Sequence, residues 1–528
     1  MSPAMSSKSV GGWQDGYVVD VPYIEPITPD LCPAWLSMVC VLNGQPPLPI
    51  DRPLVWAELG SGSGVSACMV AAANENLEVW GCDFNPAHVE RSRELARSSA
   101  LSNCSFDEAS FEQVANDPSI GPAEVDIVIV HGVYSWVSAA NQRHIMEFIR
   151  RRLRPAGLAY VSYEVPTGWA SMVPVSEAMR LHVEADGRRS DLAFPDALAS
   201  IQRLEAGGAQ CFPLGPNEQH QLDNLPDADV RYAVHEYLGS HFGPLMFDQV
   251  ADSMAGARCS FVGSLDPVDH VPSFWVGPGL EDLVQATGDT VLREMIRDLA
   301  GQRALRRDLF RRGMAPSSFP QREAWWNDLT IVGLGKEFVE GATVQLPAGQ
   351  AALEFDFYEP LVAELHKRPL SVANVREVGG ASLIDAVTAV SILVADGYAA
   401  PAAECPDASA TEEASRRLNR ALVKENRLGR DHGCLIAPVT GSAITVEHIE
   451  MLVLGLLWDG YPEDRQTLAT AVLEILSDQG RMMWEDGKRV SDPDLAQDAA
   501  DRRVTALLAR RARLAHLGVD GPEVVTTP

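Results

Sequence analysis

From Leu54 to Glu164, short apolar runs alternate with helical stretches, and this limits the fold more than any other feature of the chain. LVWAEL (54–59) is apolar almost throughout, as a strand buried on both faces would be. A helix is expected over 64–74, opening on Gly64. EVWGCD (78–83) reads as a second strand, and Pro86 suits the first turn of a helix over 86–100. SFDEA (105–109) and VDIVIVHG (125–132) give a third and a fourth strand. NQRHIMEFIRRRL (141–153) is an amphipathic helix closed by Pro155 and Gly157, and LAYVSYE (158–164) is a fifth strand. Strands separated by helices imply an α/β, Rossmann-like parallel sheet covered on both faces. Ligands of such sheets bind beyond the carboxyl ends of the strands.

The turn after the first strand carries Gly60, Gly62 and Gly64 at alternate positions, just after Glu58. Glycines there permit a sharp turn and let backbone N–H groups approach a ligand closely. Asp83 ends the second strand, at the place where a carboxylate can take both hydroxyls of a ribose. A dinucleotide fingerprint would need glycine at Val65, and a phosphate-binding Walker loop would need a lysine that is missing. An acid at the head of the loop suits a cationic ammonium and sulfonium and is poor beside a pyrophosphate. The Glu58–Gly64 pattern resembles the one with which class I S-adenosylmethionine-dependent methyltransferases hold their cofactor. That resemblance implies S-adenosyl-L-methionine as cofactor, bound by Glu58, Gly60, Ser61, Gly62 and Gly64. Asp83, Phe84, Glu108 and Ala109 follow at the next two strand ends, with Glu108 where such enzymes often place an acid by the adenine amine. A glycine-rich turn in an unrelated α/β protein is the plainer reading; three acids at successive strand ends weigh against it.

HGVYSWV (131–137) and YVSYEVPTGW (160–169) resemble a bacterial class I methyltransferase family that carries a methyltransferase regulatory domain. Its best-known members are lysine methyltransferases acting on rickettsial outer-membrane proteins. Residues 16–47 resemble the family's N-terminal Tyr/Pro-Tyr segment, and 230–264 with 303–313 resemble its regulatory region. The family's usual Tyr-Asn is Tyr163-Glu164 here, and its Pro-Gly-Trp is Thr167-Gly168-Trp169. A carboxylate therefore replaces an amide at a position facing the transferred methyl, which bears on the acceptor.

The implied organisation is a cofactor-closing segment (1–50), a Rossmann-like core (51–169), a lid or linker insertion (170–229), the regulatory region (230–314) and a mainly helical, winged-helix-like C-terminal domain (330–528). After Glu164 the next strand-like runs are 258–265 and 305–313, so the regulatory region is expected to complete the catalytic sheet. Further on, 381–398 and 448–480 have helical apolar periods, and 399–414 reads as a linker.

Methyl transfer is an in-line displacement in which alignment and desolvation matter most. A base is needed only where the acceptor arrives protonated, as a lysine does. The catalytic candidates are His131, Tyr134, Tyr163 and Glu164. His131 caps the fourth strand and is a cofactor or acceptor contact, or else a turn hydrogen bond. Tyr134 and Trp136 wall an acceptor channel, or pack. Glu164 neutralises or deprotonates an amine, or pairs with an arginine. Tyr23 closes over the cofactor, or packs as a tail. Trp169 reads as an anchor for the lid, and His235 with Glu236 as a structural pair.

Metalloenzyme and hydrolase signatures are missing, so no metal site is expected. A formal net charge of −29 argues against a nucleic-acid partner. No apolar run reaches the roughly 18 residues of a membrane span, the N-terminus lacks a signal-peptide core, and nine scattered cysteines suit a reducing compartment. A cytoplasmic location is expected. The expected function is methylation of a protein or peptide side chain such as lysine. A small-molecule or glycan methyltransferase and a catalytically silent cofactor-binding regulator are the alternatives. The oligomeric state is open, a homodimer included.

Overall fold

The computed structural model describes residues 14–520 except 25–26, 50–51, 272–273, 278, 314–316, 347, 405–407 and 486–487. After helix α1 (Pro33–Leu42), the chain runs β1 (Leu54–Leu59), α2 (Val65–Ala73), β2 (Leu77–Asp83), α3 (Pro86–Ser98), β3 (Cys104–Glu108), α4 (Phe111–Asn116), β4 (Val125–Val130), α5 (Ala139–Arg152) and β5 (Leu153–Glu164). Helices α6 (Val173–Asp186), α7 (Ser190–Ala206), α8 (Pro216–Asn224), α9 (Val230–Tyr237) and α10 (Phe247–Gly256) precede β6 (Cys259–Ser264). Then come α11 (Glu281–Ala286), α12 (Thr290–Gly301) and β7 (Leu305–Arg312).

The seven strands form one sheet in the order β3-β2-β1-β4-β5-β7-β6. The first five are parallel, and β7 runs antiparallel to both β5 and β6. The region 230–314 thus supplies two strands of the catalytic sheet. Side-chain alternation sorts the central strands into two cores. Trp56, Ile127, Ile129 and Tyr160 face one side with α2; Ala57, Val128, Val130, Val161 and Tyr163 face the other with α5 and α10.

Local chemistry sets the helix starts. Asn85 caps α3, accepting from the Ala87 N–H at 3.0 Å, with Pro86 in the first turn. Helix α4 escapes the period analysis because it is a single short turn; a Ser110–Gln113 capping box starts it. Strand β5 begins at Leu153, five residues before the expected start, because a register shift between Val125 and Ile127 admits the extra residues around Pro155.

Residues 170–238 form a helical cap with its own core of Met172, Met179, Phe194 and Val234. The C-terminal half opens with α13 (Phe319–Asp328) and a three-stranded sheet of β8 (Thr330–Gly333), β11 (Leu370–Ser371) and β12 (Ala399–Pro401). Between them lie the hairpin β9 (Thr343–Leu346)–β10 (Gly349–Ala352) and helices α14 (Phe355–Leu365), α15 (Val372–Gly379) and α16 (Leu383–Ala395). Then follow α17 (Ala408–Arg427), the hairpin β13 (Cys434–Ala437)–β14 (Ser442–Thr445), α18 (His448–Trp458), α19 (Arg465–Asp478) and α20 (Pro493–His516). The expected linker 399–414 is not one: it supplies β12 and the start of α17, where Thr411 and Ala414 are buried. Its small residues suit close packing, which composition alone does not distinguish from looseness. Helix α17 docks on the catalytic half, with Ser415 donating to the Ala72 carbonyl at 3.1 Å and Glu425 paired with Arg91. The expected run 448–480 is split by Gly460, in left-handed conformation at φ 87°, and Pro462.

Candidate active site

A cavity opens at the carboxyl ends of β1, β2 and β4, lined by Glu58, Asp83, Phe84 and His131 among others. The glycine loop forms its floor. Gly60, Gly62 and Gly64 have φ of 78°, 52° and 69°, a region side chains rarely adopt. A Cβ on Gly60 would meet Val133 at 2.7 Å and one on Gly64 would meet Ser92 at 2.5 Å, whereas Gly62 faces open space. The N–H groups of Gly60 and Ser61 donate to the Cys82 carbonyl at 2.8 and 2.9 Å, tying the loop to β2.

Asp83 is buried and accepts from the N–H of Gly62 at 2.9 Å and of Asn85 at 2.8 Å, one on each oxygen. It thus sets the loop as well as facing the cavity, and each oxygen keeps a second lone pair. Glu58, buried at the end of β1, has one carboxylate oxygen without any hydrogen-bond partner. Burial, then the nearby Asp83, pushes its pKa up to about 8. The Ser61 hydroxyl is also buried without a partner. An unpaired acid, an unpaired hydroxyl and an open glycine fit a polar, cationic ligand in close contact with backbone. Phe84 and Ala109 line the same cavity.

Glu108 does not join them. Its side chain is exposed, and Ala109, Ser110 and Phe111 form the wall beyond β3. Phe106 packs beneath Gly64, and Glu108, two residues on along the same face, lies at the strand end beyond that packing and reaches solvent.

His131 lines the cavity one residue past β4. Its Nε2 is 3.0 Å from the Thr28 hydroxyl and its Nδ1 3.0 Å from that of Tyr160. Burial, helped by Arg307, lowers its pKa to about 4, so the ring is neutral at pH 7. It therefore links β4 and β5 to the N-terminal segment. Tyr23 and, unanticipated, Tyr17 of that segment also line the cavity, as does Trp136. The Tyr17 signal lay in the aromatic spacing of 16–23, which no period links to a site.

Two catalytic candidates lie elsewhere. Tyr163 is fully buried on the opposite face of the sheet, donating its hydroxyl to Asp308 at 2.6 Å. The strand pleat sends it away from His131 and Ser162. Tyr134 is buried in that same opposite core, and Val133 and Trp136 line the cavity instead. Glu164 is buried at the end of β5, on the His131 side, and burial followed by the charge of Glu236 pushes it up to about 8. It has no arginine partner among the described residues.

Family models match two stretches: a methyltransferase domain at residues 52–191 and a predicted methyltransferase regulatory domain at 229–312. The uncharacterized protein sll1526 of Synechocystis sp. is 25% identical over 482 residues, covering 90% of this chain and 93% of its own length. The uncharacterized protein RP028 of Rickettsia prowazekii is 28% identical, covering 42% of this chain and 86% of its own. The structure of PKMT2 from Rickettsia typhi in complex with AdoHcy matches with a TM-score of 0.67 at 19% identity, covering 94% of this chain and 99% of that one. With the glycine loop and the seven-stranded sheet, these matches show an S-adenosylmethionine-dependent methyltransferase with a Rossmann-like sheet, whose residues 229–312 match a predicted methyltransferase regulatory domain.

Proposed function

We propose that the chain methylates a cationic amine, foremost a lysine side chain of a protein or peptide. The observation that carries this reading is Glu164, a buried acid at the end of β5 with no counter-cation among the described residues. An acid held there serves an amine, which must lose a proton before attack, and has little use for an acceptor that arrives already anionic. The likeness to PKMT2 supports the fold of such an enzyme.

When bound, S-adenosylmethionine supplies a methyl whose carbon–sulfur bond breaks as the carbon–nitrogen bond forms, its electron pair passing to sulfur. Glu58 takes the amino group of the amino-acid end, as a carboxylate stabilised by that charge. Asp83 uses its free lone pairs for the ribose while its bonds to Gly62 and Asn85 keep the loop in place. Phe84 and Ala109 flank the base. Neutral His131 orients Thr28 and thereby holds the N-terminal segment, and Tyr23 closes the cavity. Tyr23 and Trp136 also offer aromatic faces to a cation.

The test is incubation of the purified protein with host-cell extract and methyl-labelled S-adenosylmethionine. Label on lysine of a protein band is the expected result. Label on a small metabolite would overturn the acceptor assignment, and cofactor binding with no transfer would favour a silent regulator.

A further inference from the structure

We infer that Glu236, together with Glu164, forms a two-carboxyl receptor for the acceptor's ammonium group, and that the pair takes up its proton. The inference rests on the amine reading above. Along the chain Glu236 reads as a structural partner of His235. In the structure the two neighbours part. His235 is buried and bonds the Val21 carbonyl through Nε2 at 2.9 Å, anchoring the N-terminal segment. Glu236, one residue on, lies in α9 between His235 and Tyr237, and its charge acts on Glu164, Tyr17 and Tyr23.

Aromatic contacts run inward from the cavity wall along two lines. One joins Tyr17 and Tyr23 to His235, at ring distances of 5.3 and 4.8 Å. The other starts at Trp136, 5.6 Å from Phe242, which lies 4.9 Å from Trp169; Trp169 lies 5.7 Å from Tyr237. The indole N–H of Trp169 lies within hydrogen-bonding reach of Glu164 and favours its carboxylate. Acids at the end and aromatic rings along the sides are the surroundings an alkylammonium needs.

The groups facing the pair are Tyr17 and Tyr23 from the N-terminal segment, Tyr232 and Tyr237 from α9, and Trp169 from the turn after β5. No arginine or lysine offsets either acid among the described residues. Burial raises Glu236 to about 7, and burial with the neighbouring charge raises Glu164 to about 8. Two such acids titrate as one unit and share a proton near neutrality. When the ammonium enters, one N–H bond breaks and its electron pair stays on nitrogen. The proton bonds to a carboxylate oxygen, and the pair goes from one negative charge to none. The amine is then a nucleophile.

The full-length protein saturated with S-adenosylhomocysteine is titrated with n-butylammonium, followed by ligand-observed NMR from pH 5 to 9. Butanol serves as the neutral control. Wild type is expected to bind butylammonium more tightly as pH rises through 7 to 8, and to bind butanol without pH dependence. Glu236→Gln removes the like charge, so the midpoint moves down by about one pH unit. Glu236→Asp keeps the charge and the wild-type midpoint. The double variant Glu164→Gln/Glu236→Gln loses at least about tenfold in affinity, as for a charged hydrogen-bonded partner. An unmoved midpoint in Glu236→Gln, or wild-type affinity in the double variant, overturns the pair. S-adenosylhomocysteine affinity is read in the same samples. Its absence from wild type sinks the methyltransferase reading, whereas its presence without butylammonium binding sinks only this inference.

Discussion

Buried acids occur in two settings in this protein. On the far side of β7, Arg306 is fully buried and meets Glu294 at 2.9 Å, Asp298 at 2.7 Å and Asp308 at 2.8 Å. Nearby, Asp269 holds Arg297 at 3.1 Å and Arg303 at 2.9 Å, which keeps its carboxyl well below the usual range despite burial. Glu58 and Glu164 at strand ends and Glu236 in α9 meet no such cation among the described residues and are pushed up to about 8, 8 and 7. The paired acids find arginines within the chain and tie α12 and Asp269 to β7, although burial still raises Asp298 to about 6. The unpaired ones await a positive charge from outside. Uncompensated burial is costly, so acids left that way point to ligands.

The largest effect should come from the paired side. Arg306→Leu takes from Asp308 its cation and leaves Glu294 with Arg297 and Asp298 with Arg303 at 3.5 Å, and should lower unfolding free energy by about 3–5 kcal/mol. A urea melt checks this, and a loss under about 1 kcal/mol would show that the network only decorates the core. On the unpaired side, Glu58→Gln should weaken S-adenosylmethionine by about 10- to 100-fold, as for a charged hydrogen bond, with a melting temperature no lower than wild type. A clear loss of stability with unchanged affinity would place Glu58 among the structural acids.

The pH dependence sharpens the contrast. With its folded pKa near 8, above the ordinary 4.5, Glu58 contributes stability that is full below pH 4.5 and lost as pH rises through 8. At pH 7 the free protein holds it mostly protonated. A bound ammonium favours the carboxylate, so binding should release a proton and strengthen from pH 6 to 8. Calorimetry in buffers of different ionisation enthalpy measures this; proton uptake would contradict the assignment. Tyr163→Phe should cost about 1–3 kcal/mol through the lost bond to Asp308, with methyl transfer retained. The smallest effect is Glu108→Ala, under about twofold on cofactor affinity because the side chain is exposed.

Residues 54–164 were legible because strand and helix periods there agree with the glycine and proline signals. The two late strands were legible because the family resemblance implies a sixth and an antiparallel seventh strand, for which 258–265 and 305–313 were the strand-like runs. Tyr134 and Tyr163 were not placed correctly, although both sit in the right strings. A motif fixes a position along the chain, while the pleat decides which face of the sheet receives it. Glu236 looked structural because its partner Glu164 is 72 positions away in the sequence (236 − 164 = 72).

The sequence by itself determined the parallel sheet, the loop with Glu58 at its head and the acid ending β2, because these depend on local backbone geometry and period, and the resemblance of that loop to class I methyltransferases implied the cofactor class. Only the tertiary structure decided which acids lack a counter-cation, since that depends on where β7, α9 and the N-terminal segment bring their side chains. Charge compensation is set by distance and burial, and neither can be read along a chain.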